Sequence, residues 1–134
     1  MRGGADHLLQ ATVGPGFLGP VHDLLTRLWA DEPDVGQQDR VRFETAVAEV
    51  AANIAEHGAT GGTGQVTLQL SSGADCLVAV FEDDGDPPVL APDAGMPGED
   101  AERGRGLPLA RASVDAVEYQ RDGIANRWVL TLRA

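Results

Sequence analysis

Phe43-Glu44-Thr45-Ala46-Val47-Ala48-Glu49-Val50-Ala51-Ala52-Asn53-Ile54-Ala55-Glu56-His57-Gly58 is rich in Ala, free of Pro and interrupted by no Gly until its last residue. That composition favours a helix, and Gly58 is placed to stop it. Phe43, Val47, Val50 and Ile54 recur at steps of four, three and four, the period of one buried helical face. Beside this stripe Glu49 and Asn53 stand four residues apart, so their side chains lie one above the other. A carboxylate stacked on a carboxamide there can serve a bound metal, water or nucleotide, or can simply face solvent.

The segments on either side supply the partners for such a helix. His7 to Val13 is partly alternating and ended by Gly14-Pro15-Gly16, which predicts an edge strand. Phe17 to Ala30 carries apolar residues at helical spacing, with Pro20 near the first turn, where proline is tolerated. Asp31 to Gly36 is a polar connector, and the central helix starts around Gln37. Beyond Gly58, a Gly/Thr loop leads to the alternating run Gln65 to Ser71, a turn at Ser72-Gly73-Ala74-Asp75, and a second strand from Cys76 to Glu82. Val114 to Gln120 and Arg127 to Leu132 form another hairpin around Arg121-Asp122-Gly123-Ile124. Between the hairpins lie the Gly-, Pro- and acid-rich residues Asp83 to Arg103, then a short helix from about Gly106 to Ser113. A structureless connection of that length in a small domain is commonly a lid or binding loop.

This order predicts an α+β fold. About three helices lie on one face of a mixed, mostly antiparallel sheet, in two layers. The 134 residues (1–134) are the size of one domain.

Composition narrows the chemistry. Formal net charge is −11 and every basic residue is Arg; there is no Lys, which rules out a P-loop. The acidic balance argues against direct nucleic-acid binding and against an anionic membrane surface. Cys76 is the lone cysteine, so no disulfide framework or thiolate metal site exists, and the three His residues lack zinc-ligand spacing. The sequence shows no membrane-spanning run and no signal peptide, and a cytoplasmic setting is expected.

Three clusters carry candidate chemistry. Glu49 with Asn53 is the first. Asp83-Asp84-Gly85-Asp86-Pro87, where Phe81 runs straight into a knot of acids, is the second. There a glycine lets a ligand approach the backbone beside a carboxylate acceptor, although an acidic turn after a strand reads the same way. The third is Arg103-Gly104-Arg105-Gly106-Leu107-Pro108-Leu109, read as the opening of the last helix. Backbone N–H groups and the helix dipole favour an anion at such a place, and the arginines add charge; a plain helix-capping loop has the same pattern.

Taken together and in this order, the three clusters resemble the ATP-binding domain of the GHKL superfamily (gyrase, Hsp90, histidine kinase, MutL), and within it the short serine-protein kinase and anti-sigma-factor branch of RsbW type. The family's N box, Glu and then Asn four residues on, is matched by Glu49-Val50-Ala51-Ala52-Asn53 followed by Glu56-His57-Gly58. Its Asp-x-Gly box is matched by Asp83-Asp84-Gly85, and its second glycine box by Gly104-Arg105-Gly106-Leu107. The resemblance runs over nearly the whole chain.

The resemblance implies ATP and Mg²⁺ as cofactors. Asn53 would be the metal ligand, and Glu49 the general base that takes the proton of an attacking hydroxyl. Asp83 would accept from the adenine amino group and Gly85 would give the base room. Gly104, Gly106 and Leu107 would close over the phosphates, with Arg105 stabilising transferred charge. The implied partners are a small anti-sigma-factor antagonist bearing the phospho-acceptor serine and a sigma factor, and dimerisation is implied as well.

Two departures bear on affinity more than on fold. Pro87 stands where many members have a second glycine. The region entering the last strand reads Ala125-Asn126-Arg127-Trp128, without the Gly-Thr pair whose Thr helps bind adenine. They favour an alternative from another class, a protein-binding module without kinase activity. A histidine-kinase catalytic domain is a third reading, for which the sequence supplies no helix bearing a phospho-acceptor His.

Overall fold

The computed structural model describes residues 5–14, 16–57, 62–87 and 101–134. In chain order the elements are β1 (Ala5–Thr12), α1 (Leu18–Asp31), α2 (Gln37–His57), β2 (Gln65–Ser72), β3 (Cys76–Asp83), α3 (Ala101–Ser113), β4 (Ala116–Asp122) and β5 (Ala125–Arg133). The sheet order is β1-β2-β3-β5-β4, and all four pairings are antiparallel. The expected α+β sandwich is therefore realised with a wholly antiparallel sheet among the described residues. Both hairpins form, and β3 and β5 join them at the sheet's centre.

The period of two in the strands decides which face is covered. Val66, Leu68 and Leu70 of β2, Leu77, Ala79 and Phe81 of β3, and Trp128, Leu130 and Leu132 of β5 are all buried, while their sequence neighbours are half-buried or exposed. Against that face lies the stripe of α2: Phe43, Val47, Val50 and Ile54 are buried, joined by Ala46 and Ala51. From α1, Val21, Leu24, Leu25, Leu28 and Trp29 complete the same cluster.

The connector between α1 and α2 is held by Arg40. Its guanidinium donates to the carbonyls of Val35 and Pro33 and sits 5.5 Å over the Trp29 ring. Glu32, just past α1, is buried and accepts from the Ser72 hydroxyl at the end of β2. No helix among the described residues is long and apolar enough to cross a membrane.

The register sets one end of the sheet apart. Asp83 at the end of β3 pairs with Val66 near the start of β2 and with Asn126 near the start of β5; Asn126 in turn pairs with Arg121 near the end of β4. Gly62 and Thr63, which follow α2 in the chain, lie beside the same end of the sheet, against Asp84.

Candidate functional site

Asp83 is the last residue of β3 and falls on the inward phase of the strand, so its carboxylate is carried under the helix layer and is only 7% exposed. A buried carboxylate needs donors. Its Oδ1 receives two, the Gly85 N–H at 2.9 Å and the Asn126 side-chain Nδ2 at 3.0 Å. Its Oδ2 takes no hydrogen bond from any described residue. The bond from Gly85 closes a tight turn immediately after the strand, and Gly85 is buried within it.

The next residue points the other way. Asp84 accepts from the Thr63 backbone N–H with both oxygens, at 3.0 and 3.1 Å. The Thr63 side chain first, and its backbone N–H second, hold the Asp84 carboxyl below the usual carboxylate range. This contact brings the loop after α2 onto the turn after β3. Gly62 is needed there: a Cβ at that position would lie 2.0 Å from the Asp84 carbonyl oxygen.

On α2, Glu49 and Asn53 are each half-buried, beside the fully buried Val50 and Ile54. The pair thus occupies the rim of the core stripe, in the half of the helix that leads to Gly62. Among the described residues no group of three His, Cys, Asp or Glu encloses a space for a metal ion. A cation here would draw on one or two protein oxygens and take the rest of its shell from phosphate and water, as Mg²⁺ does. The Asn53 carboxamide makes no hydrogen bond to a described residue, so its oxygen fits that part.

The glycine pair is placed differently from the sequence expectation. Helix α3 begins at Ala101, not near Gly106, so Gly104, Arg105 and Gly106 lie inside it rather than in a loop before it. Local propensity opposes this, since two glycines and Pro108 weaken a helix. The reason it forms is tertiary: α3 lies along α2, with Ala110 buried and Leu107 packed on the core, and Arg42 of α2 donates to the Ser113 carbonyl at its end. Pro108 has no N–H to return to the Gly104 carbonyl one turn earlier, which leaves the helix weakest there. The side chain of Arg105 and the greater part of the expected lid, residues 88–100, lie outside the described residues.

Sequence reasoning missed three contributors: Asn126, Tyr119 and Arg121. Asn126 is 1% exposed, and the Tyr119 hydroxyl and the Arg121 guanidinium both donate to its side-chain oxygen. Below it, Trp128 is fully buried and packs against Tyr119 with ring centroids 4.7 Å apart and the planes tilted by 50°, and its indole N–H has no partner among the described residues. The one signal available beforehand was that Asn126 is a polar residue in the inward phase of an otherwise apolar strand.

Residues 15–132 match the family model described as the histidine kinase-like ATPase domain. Among solved structures, the RsbU and RsbW domains of Rv1364c from Mycobacterium tuberculosis superpose with a TM-score of 0.68 at 19% identity, covering 96% of this chain and 32% of that one. The Acinetobacter baumannii histidine kinase AdeS matches with a TM-score of 0.52 at 13% identity, covering 95% of this chain and 67% of that one. The chain therefore spans about a third of the length of the first of these structures. No curated protein sequence matches it.

Proposed function

We propose, from the premise that this chain belongs to the histidine kinase-like ATPase family, that it is an ATP-binding regulator of partner-switching type. In this reading it transfers phosphate from ATP to a serine of a small antagonist protein and otherwise sequesters a sigma factor. The observation that carries the nucleotide site is the Asp83 carboxylate, buried at a strand end with Oδ1 held by two donors and Oδ2 left to accept. An exocyclic amino group of a purine is the donor that suits it. The likeness in fold to the RsbU and RsbW domains of Rv1364c supports the choice of branch.

Roles follow from position and residue chemistry. Asp83 reads the base amino group, and Gly85 lets the base approach the turn. Asn53 offers a carboxamide oxygen to Mg²⁺, whose contribution when bound is to neutralise charge on the phosphates. Glu49, one turn away on the same rim, takes the proton of the serine hydroxyl as its oxygen attacks the γ-phosphorus and the bond to ADP breaks. Gly104, Arg105, Gly106 and Leu107 are assigned to the phosphate side, where the charge of Arg105 would stabilise the transferring group.

A second reading, a nucleotide-responsive binding module without transfer, is favoured by one observation: Gly104 to Gly106 are wound into α3 instead of forming an open cradle. Two variants test the site, and transfer by the unaltered protein separates the readings. Asn53→Ala is expected to abolish Mg²⁺-dependent ATP binding by calorimetry, and unchanged affinity would remove Asn53 from the site. Glu49→Ala is expected to keep ATP binding and lose transfer of label from γ-labelled ATP to antagonist proteins. A stable antagonist complex with no transfer from the unaltered protein selects the binding module.

A further inference from the structure

Asn126 occupies the region where the resemblance calls for a threonine that touches the base, yet its hydrogen bonds leave it nothing to offer a ligand. A carboxamide has two N–H donors and two acceptor lone pairs. The Nδ2 donates to Asp83 Oδ1 at 3.0 Å and to the Gly85 carbonyl at 2.9 Å. The Oδ1 accepts from the Tyr119 hydroxyl and from Arg121 Nη1 at 2.9 Å. Its orientation is fixed by its neighbours, because a guanidinium only donates and a carboxylate only accepts. With all four positions taken and the residue buried, Asn126 can act on a nucleotide only through what it holds.

We infer that Asn126 is the positioning residue for base selection in this chain: with Tyr119 and Arg121 it locks Asp83 so that Oδ2, and only Oδ2, is presented to an exocyclic amino group. Two features support this. Asp83 and Asn126 are directly paired across the β3–β5 ladder, and Asn126 with Arg121 across β5–β4, so the three polar side chains form one row on the inward face. Arg121 Nη1 also donates to the Gly85 carbonyl at 3.1 Å, so the turn that follows Asp83 is tied to the same row. Asn126, buried with every side-chain position bonded, is held rigidly, and removing it leaves Asp83 Oδ1 and the Gly85 carbonyl each short of a partner. Free rotation of the Asp83 carboxylate would blur the distinction between a base that donates and one that accepts; the row suppresses that rotation.

The inference rests on the nucleotide reading above, and the test keeps the two apart. The probes are ATP and purine riboside triphosphate, which differ only in that the amino group of one is a hydrogen atom in the other. Binding is measured by calorimetry on the full chain, with thermal melts as a check of folding. The unaltered protein is expected to prefer ATP by about tenfold or more, since a site built around a hydrogen bond rejects the analogue that cannot make it.

Asn126→Leu, which cannot hold Asp83, is expected to bring that preference to within about threefold of unity, mainly through weaker ATP binding. Asn126→Asp keeps the shape of asparagine but sets a carboxylate against Asp83. It is expected to lose more ATP affinity than the leucine variant, whereas a packing role alone would make it the milder change. Tyr119→Phe, which spares the Arg121 bond, is expected to lie between the unaltered protein and Asn126→Leu. ATP binding with an undiminished preference over purine riboside triphosphate in a folded Asn126→Leu protein overturns the positioning role and leaves the site intact. Failure of the unaltered protein to bind ATP overturns both.

Discussion

Replacing Gly62 with alanine tests the contact that joins the central helix to the acid turn. The new Cβ would stand 2.0 Å from the Asp84 carbonyl oxygen, 2.6 Å from the carbonyl carbon and 2.6 Å from Oδ1. Ordinary contact begins at 3.4 Å, so the two backbones must part by about 1.4 Å. Two of the three obstructing atoms are backbone, and a side-chain rotation cannot clear them. Overpacking of this kind costs about 1–3 kcal/mol. Unfolding entropy of about 2.1 cal/mol/K per residue makes each kcal/mol worth about 3.5 °C in a chain of 134 residues. Gly62→Ala is therefore expected to lower Tm by about 4–10 °C in a calorimetric scan.

The displaced residue adjoins Asp83 and Gly85, so ATP affinity should fall in the same variant. Gly73→Ala is the control. Its Cβ would meet Cys76 Sγ at 3.7 Å, an ordinary contact, and it should melt within about 2 °C of the parent. If Gly62→Ala melts with the control, Gly62 and Thr63 do not rest on the acid turn, and the reasoning from that contact is refuted.

Two further tests address acids outside the base site or on its outer side. Thr63 holds the Asp84 carboxyl below its ordinary value, so the stabilisation from that shift is fully present above the unfolded pKa of about 3.9 and is lost as pH falls through the lower folded value. Melting curves of the parent and Asp84→Asn should therefore differ by a constant amount above about pH 5 and converge below about pH 4; a gap that persists in acid would show that the carboxylate charge is irrelevant. At the far end of the sheet, Ser72→Ala removes the hydroxyl that donates to the buried Glu32 carboxylate. It should cost about 1–3 kcal/mol by denaturant titration, and an unchanged midpoint would mean that Glu32 does not depend on that bond.

The parts of the molecule legible in the sequence were those whose cause is local or periodic. Phe43, Val47, Val50 and Ile54 announce α2, and alternation through Val66, Leu68 and Leu70 announces β2, because burial on one face imposes a fixed period. Asp83 was legible as a polar residue ending an apolar strand. What escaped depends on partners distant in the chain. Asn126 joined β5 because the turn is confined to Gly123 and Ile124, with Gly123 at φ +62°, which extends both strands and sets Asn126 opposite Asp83. Helix α3 reaches back to Ala101 through contact with α2, which overrides two glycines and a proline. The role of Gly62 is a meeting of two loops, and no pattern in either one encodes it.

The two adjacent acids give the site its asymmetry. Asp83 turns inward and is tied through Asn126 to β5 and β4, while Asp84 turns outward and is tied through Thr63 to the loop after α2. The turn between them is therefore anchored from both sides, and the base end of the proposed site is built before any ligand arrives. The phosphate end is arranged otherwise, since its glycines are wound into a helix whose weak point is the Gly104 carbonyl facing Pro108. A preformed base site spends little binding energy on ordering, whereas closing over phosphates would draw on it to rework the first turns of α3. Changes at Asn126 or Gly62 should then register first in nucleotide affinity, and changes at Gly104 or Gly106 in phosphate transfer. On the proposed reading, such a separation of base recognition from phosphate handling would let a kinase and a non-catalytic nucleotide-binding regulator share one scaffold.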